Sequence, residues 1–133
     1  LSRDYPSVSF RHQDIFEEDP EVLKCDVLLC TLTMHHFKDQ QIIELLNKFE
    51  SVAKLGVVIN DLHRSKLAYV LFQAFCAVFV NNEIARKDGL VSILRGFKKT
   101  DLHNYKNKMN GSKHSIQWKW AFRYQWVIQK ENI

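Results

Sequence analysis

His35 and His36 lie in the loop just beyond an apolar run, and they carry the side chain best suited to moving a proton near neutral pH, with an unperturbed pKa of about 6.5. A histidine at such a position can take a proton from a hydroxyl group; either of the pair can equally serve as a structural hydrogen-bonding residue. Metal ligation through His35, His36 and Asp39 is disfavoured, because adjacent side chains diverge in direction and no other carboxylate cluster supports them. A second polar group, Asn60, Asp61, His63 and Arg64, follows another apolar run. The planar fork of Arg64 suits a polar or anionic ligand, while Asp61 and Ser65 also suit capping of the next helix. Asp14 stands just past the alternating residues 8–12 (VSFRH), where it either meets a ligand or caps a turn.

These groups need elements to hold them. Residues 8–12 alternate like a short strand, preceded by a turn at 5–7, and residues 1–4 read as the end of a helix. Residues 25–31 (CDVLLCT) form a continuous apolar run, the pattern of a strand buried on both faces. Asp39 is placed to N-cap a helix in which Ile42, Ile43, Leu45, Leu46, Phe49, Val52 and Ala53 recur at helical spacing. Leu55-Gly56 should end it, and residues 57–59 should form the next buried strand. That gives a strand, helix, strand unit of the length a parallel crossover requires. Residues 67–80 are apolar on nearly every side, which reads as a helix buried against the domain or capping a pocket. A short helix should start at Thr100-Asp101-Leu102, residues 110–112 should form a loop, and residues 115–120 and 123–129 should pair antiparallel through Ala121-Phe122. Phe72, Phe75, Phe79, Trp118, Trp120 and Trp126 are expected in the core rather than around a substrate.

Composition narrows the class. At 133 residues, 46% of them apolar, the chain suits one α/β domain with a real core and no second one. The formal charge of +4 is spread along the chain, and the pairs Lys98-Lys99 and Lys106 with Lys108 lack interleaved aromatics, so nucleic acid is not the expected partner. Cys25, Cys30 and Cys76 lack C-x-x-C spacing and lie in apolar runs, which points to free buried thiols and a reducing, cytoplasmic setting. No stretch approaches the roughly eighteen unbroken apolar residues of a membrane span, and no secretory signal is evident.

Three segments in order resemble the later half of class I S-adenosylmethionine-dependent methyltransferases, particularly the bacterial O- or C-methyltransferases of small molecules. They are His12-Gln13-Asp14-Ile15-Phe16, the run from Cys25 through Thr31 to Leu32-Thr33-Met34-His35-His36-Phe37, and Gly56-Val57-Val58-Ile59-Asn60-Asp61-Leu62-His63-Arg64-Ser65. The resemblance implies a Rossmann-like sheet of strand order 3-2-1-4-5-7-6, with parallel central strands and an antiparallel closing pair. It implies S-adenosylmethionine as cofactor, Asp14 and Ile15 at its adenine, and Cys30, Thr31 and Leu32 beside its methionine moiety. His35 and His36 would then be the catalytic residues, with His36, Asp61, His63 and Arg64 facing a small-molecule acceptor.

The glycine-rich loop and the ribose-binding acidic residue of that family are missing, and the scattered Gly56, Gly89, Gly96 and Gly111 cannot build the loop. The reading is therefore a partial domain over residues 1–133, lacking strands 1 and 2 and inactive by itself, whose open sheet edge is completed by another copy or chain. The alternative is a noncatalytic interaction domain of methyltransferase shape, paired with a partner through that same edge.

Overall fold

The computed structural model describes residues 7–109 and 112–130. The helix end expected at residues 1–4, and two residues of the expected 110–112 loop, lie outside the described residues. A one-turn helix Pro20–Leu23 (α1) leads into strand Cys25–Thr31 (β1), a 3-10 turn Met34–His36, helix Asp39–Val52 (α2) and strand Ala53–Leu62 (β2). Helices Lys66–Phe79 (α3), Glu83–Arg95 (α4) and Lys99–Lys106 (α5) follow, then strands Lys113–Lys119 (β3) and Arg123–Gln129 (β4).

β1 and β2 run parallel, with Leu28 beside Val57 and Cys30 beside Ile59. β4 lies antiparallel on the far side of β2, and β3 pairs antiparallel outside it, so the order is β1-β2-β4-β3. Numbered as the resemblance numbers them, these are strands 4-5-7-6, the later half of the expected sheet. The closing pair turns through Trp120, Ala121 and Phe122, and both Ala121 and Phe122 take left-handed backbone, φ 63° and 54°. That conformation suits the twist of a tight hairpin but strains residues that carry a Cβ.

Period decides which face is covered. Ile42, Leu45, Leu46, Phe49 and Val52 of α2 repeat every three to four residues and are buried. The first four meet the alternate sheet residues Val57, Ile59, Trp126 and Ile128, joined by Leu102 and Tyr105 of α5. The Tyr105 hydroxyl donates to Asp39 at 2.8 Å, tying α5 to the start of α2. On the opposite face β1 is uncovered among the described residues. Val27 and Leu29 are 54% and 67% exposed, so the strand expected to be buried on both faces is covered on one only.

Other expectations are corrected. Residues 8–12 form no strand and Phe10 is 71% exposed; a strand needs a hydrogen-bonding neighbour, and none stands beside them among the described residues. Lys38, not Asp39, is the N-cap of α2, and the helix passes straight into β2 at Ala53, so Gly56 sits inside a ten-residue strand rather than at a helix end. The apolar helix α3 buries only Ala68 and Cys76, leaving Val78 and Phe79 at 72% and 70% exposure. Of the three tryptophans only Trp126 is in the core; Trp118 and Trp120 are exposed. Helix α4 was not foreseen: its apolar residues do not align on one face, although Asn82, which accepts from the N–H groups of Ile84 and Ala85, is a legible N-cap. Among the described residues no helix is long and apolar enough to cross a membrane.

Candidate functional site

The carboxyl ends of β1 and β2 lie side by side, with Thr31 opposite Asn60. Immediately beyond, Leu32 adopts left-handed backbone (φ 50°) and donates its N–H to the Asn60 carbonyl at 2.9 Å. Strained backbone of this kind is concentrated at ligand sites and tight turns. The turn directs three successive N–H groups at one carboxylate: Thr33, Met34 and His35 donate to Asp61 Oδ2 at 3.1, 2.8 and 3.4 Å. The other oxygen, Oδ1, accepts the Leu62 N–H at 2.7 Å and lies 2.6 Å from His35 Nδ1. Asp61 is only 2% exposed, a buried anion made tolerable by five donors and by the positive end of the 3-10 turn.

This arrangement separates residues that look equivalent in sequence. Asp61 was expected to face the acceptor, but all of its capacity is spent inside the protein. His35 is buried with it, so its ring is a structural partner rather than a surface base. His36 is exposed, and its ring stacks on His35 with centroids 4.1 Å apart. Cys30 is buried behind this turn, and burial together with the Asp61 charge pushes its thiol up to about 11, so it stays protonated as lining. Thr31 and Leu32 are exposed at the strand end. Asp14 is also exposed, and its Oδ1 accepts the Phe16 N–H at 2.9 Å, the turn-capping arrangement, while Ile15 packs against the core.

The chain leaves the sheet at Arg64 and returns at Phe97, so α3 and α4 form an excursion with a narrow neck. Arg64 N–H donates to the Phe97 carbonyl at 2.9 Å, and Phe97 N–H to the Leu62 carbonyl at 2.8 Å. Gly96 permits this approach, since a Cβ there would meet the Leu62 carbonyl oxygen at 2.7 Å. Two clefts flank the neck. A polar one of about 290 Å³ holds Arg64, whose guanidinium pairs with Asp101 at 2.7 Å, together with Arg95 and Lys108. An apolar one of about 790 Å³ lies between the α3–α4 hairpin and the β3–β4 turn, with His63 in its wall. The structure therefore divides His63 and Arg64 between two clefts. The lining of the apolar one, Phe72, Phe75, Trp118, Trp120, Phe122 and Arg123, was read from sequence as core or not singled out.

Two tryptophan–histidine pairs brace the hairpin. Trp118 Nε1–H donates to His63 Nδ1 at 3.3 Å, and Trp126 Nε1–H to His114 Nδ1 at 3.1 Å. An indole N–H can only donate, so both imidazoles must be neutral at Nδ1. Desolvation lowers the pKa of His63; for His114 desolvation is again the main cause, with the Lys106 charge adding to it. The unfolded chain therefore binds these protons more readily, and folding stability is complete above the unfolded value of about 6.5 and falls as pH drops through it. Urea midpoints are expected to decline between pH 7.5 and 5.5, and His114→Gln to flatten that slope. An unchanged midpoint across the range would refute the pairing.

No family model matches the sequence, and no curated protein matches it significantly. Solved structures do. An O-methyltransferase family protein from Burkholderia thailandensis superposes over 97% of this chain with a TM-score of 0.61 at 11% identity. The fold is that of a class I methyltransferase. TnmH aligns over 92% of the chain with a TM-score of 0.58 at 14% identity. Magnesium protoporphyrin IX methyltransferase from Synechocystis PCC 6803, solved with bound S-adenosylhomocysteine, aligns over 90% at 0.52 and 11% identity. The chain spans 38%, 35% and 49% of these three proteins respectively, less than half of each.

Proposed function

We propose that this chain is the acceptor-side part of an S-adenosylmethionine-dependent methyltransferase of small molecules, the glycine-rich cofactor loop being supplied from outside residues 1–133. The observation that carries the reading is the parallel β1–β2 pair ending in the left-handed turn at Leu32, with the exposed ring of His36 beside it. Open α/β sheets bind ligands at such carboxyl ends. Asp14 and Ile15 would hold the adenine end of the cofactor, and Thr31 and Leu32 its methionine end, with Cys30 beneath. The fit has a local sign: the buried side-chain oxygen of Asn60, level with Thr31, has no hydrogen-bond partner among the described residues, an acceptor awaiting a donor.

When bound, the cofactor supplies an electrophilic methyl group. The chain's own residues align the acceptor and exclude water, which is most of what transfer from a sulfonium needs. His36 accepts the proton when a hydroxyl is methylated, while His35, fixed by Asp61, stacks behind it as a positioning residue. The free thiols suit a reducing cytoplasm, and the neighbours named by organism are bacterial.

Titration separates the parts of this reading. The 133-residue chain is expected to show no saturable S-adenosylmethionine binding at micromolar concentration, and a chain extended by its upstream coding sequence to bind it. Micromolar binding by the isolated chain would overturn the need for the missing loop. An upstream sequence without a strand and Gly-x-Gly loop would instead favour the second reading, a noncatalytic domain whose open β1 edge is completed by a partner chain.

A further inference from the structure

We infer that the apolar cleft beside His63 is the acceptor pocket and that its ligand is a flat aromatic molecule carrying an acidic group. The inference rests on the methyltransferase reading for the word acceptor, but the pocket and its ligand chemistry stand on their own observations.

The cleft has about 790 Å³, within the range of sites that enclose drug-sized ligands. Its walls are aromatic and come from unrelated parts of the chain: Phe72 and Phe75 from α3, and Trp118, Trp120 and Phe122 from the β3–β4 hairpin. Trp120 is 87% exposed and Phe75 53% exposed, so the aromatic faces are available rather than spent on the core. Aromatic walls favour planar, π-bearing ligands over flexible aliphatic ones.

Charge sets the other half of the specificity. Trp120, Ala121 and Arg123 also line a second recess of about 350 Å³, which reaches Lys119, Gln125 and Asn60. Neither lining contains an Asp or a Glu. Among the described residues no carboxylate forms an ion pair with Arg123 or Lys119, in contrast to Arg64, which is paired with Asp101. A guanidinium at the junction of an apolar cleft and a polar recess suits bidentate capture of a carboxylate. Asn60, which pairs with Thr31 at the strand ends, lines the same recess as Arg123, so the recess adjoins the proposed cofactor side.

The test is calorimetric titration of the chain with 1-hydroxy-2-naphthoate, 2-naphthol and cyclohexanecarboxylate, without cofactor. Saturable binding of the naphthoate is expected, with 2-naphthol weaker by about tenfold, the worth of one charge-assisted pair, and cyclohexanecarboxylate undetected. Arg123→Gln should erase the advantage of the acid, and Arg123→Lys should restore part of it. Ser92→Trp, which fills the cleft from α4, should abolish binding of both naphthalenes while the thermal midpoint shows a folded protein. No saturable naphthoate binding by the wild type, equal affinity for 2-naphthol, or full binding by folded Ser92→Trp would each overturn the proposal. Naphthoate binding alongside an extended chain that fails to bind S-adenosylmethionine would sink the methyltransferase reading and leave the pocket standing; the reverse pattern would sink the pocket alone.

Discussion

Replacing Asp61 with alanine is expected to cost about 3 to 5 kcal/mol, the penalty for removing one member of a buried, fully hydrogen-bonded charge site. A domain of this size has about 5 to 15 kcal/mol in total, so the variant should be marginal or unfolded at 25 °C. The loss does not come from the carboxylate alone. Its removal strands the N–H groups of Thr33, Met34 and His35 and the His35 ring in a site where His35 itself is 5% exposed. Asp61→Asn keeps one acceptor oxygen but turns an NH2 toward some of those donors, and about 2 kcal/mol is expected. His36→Gln, one residue away but exposed, should be within about 0.5 kcal/mol of wild type. Urea denaturation followed by far-ultraviolet circular dichroism distinguishes the three. An Asp61→Ala protein as stable as His36→Gln would show that the carboxylate does not anchor the turn.

The second large effect is at Gly96. A valine there drives its side chain into the 62–64 backbone, since even a Cβ would lie 2.7 Å from the Leu62 carbonyl oxygen and 3.1 Å from the Arg64 nitrogen. Backbone cannot rotate aside as a side chain can, so the neck must open and release the Phe97–Leu62 and Arg64–Phe97 hydrogen bonds. The expected cost is about 3 kcal/mol, the upper range for overpacking. The signature is local as well as global. The α3–α4 hairpin is held to the sheet by this neck and by the apolar cleft, so limited proteolysis should cut between residues 65 and 95 before the rest of the chain. A Gly96→Val protein with unchanged midpoint and unchanged cleavage pattern would show that the pinch is not what positions the hairpin.

Both effects bear on function through one device. Asp61 sits at the end of β2, and Gly96 is where the chain returns to it; Asp61 fixes the turn bearing His36, and Gly96 the neck beside the aromatic cleft. Loss of either is expected to weaken ligand binding at the cleft without touching any residue that lines the aromatic wall.

Local pattern was enough for the architecture's skeleton. The unbroken apolar run at 25–31, the three-and-four spacing from Ile42 to Val52, and the two alternating runs near the end each carry their own period. Period follows from backbone geometry within a single element. Their order alone therefore specified a parallel strand pair and an antiparallel closing pair, and the described sheet has both, although β1 stands at its edge rather than its centre. Two adjacent histidines and a polar cluster after an apolar run were likewise legible as the place where chemistry could gather.

What residue types could not tell was direction and company. Whether His35 or His36 faces water depends on a left-handed residue at Leu32 that no glycine announces, and on a carboxylate 26 residues further on. Apolar helix α3 and the exposed tryptophans read as core because hydrophobicity records what a side chain can bury, not what stands opposite it. Only the assembled sheet, the pinch at Gly96 and the hairpin turn set those aromatic faces around a shared cavity, and contacts between residues distant in sequence are what no local period encodes.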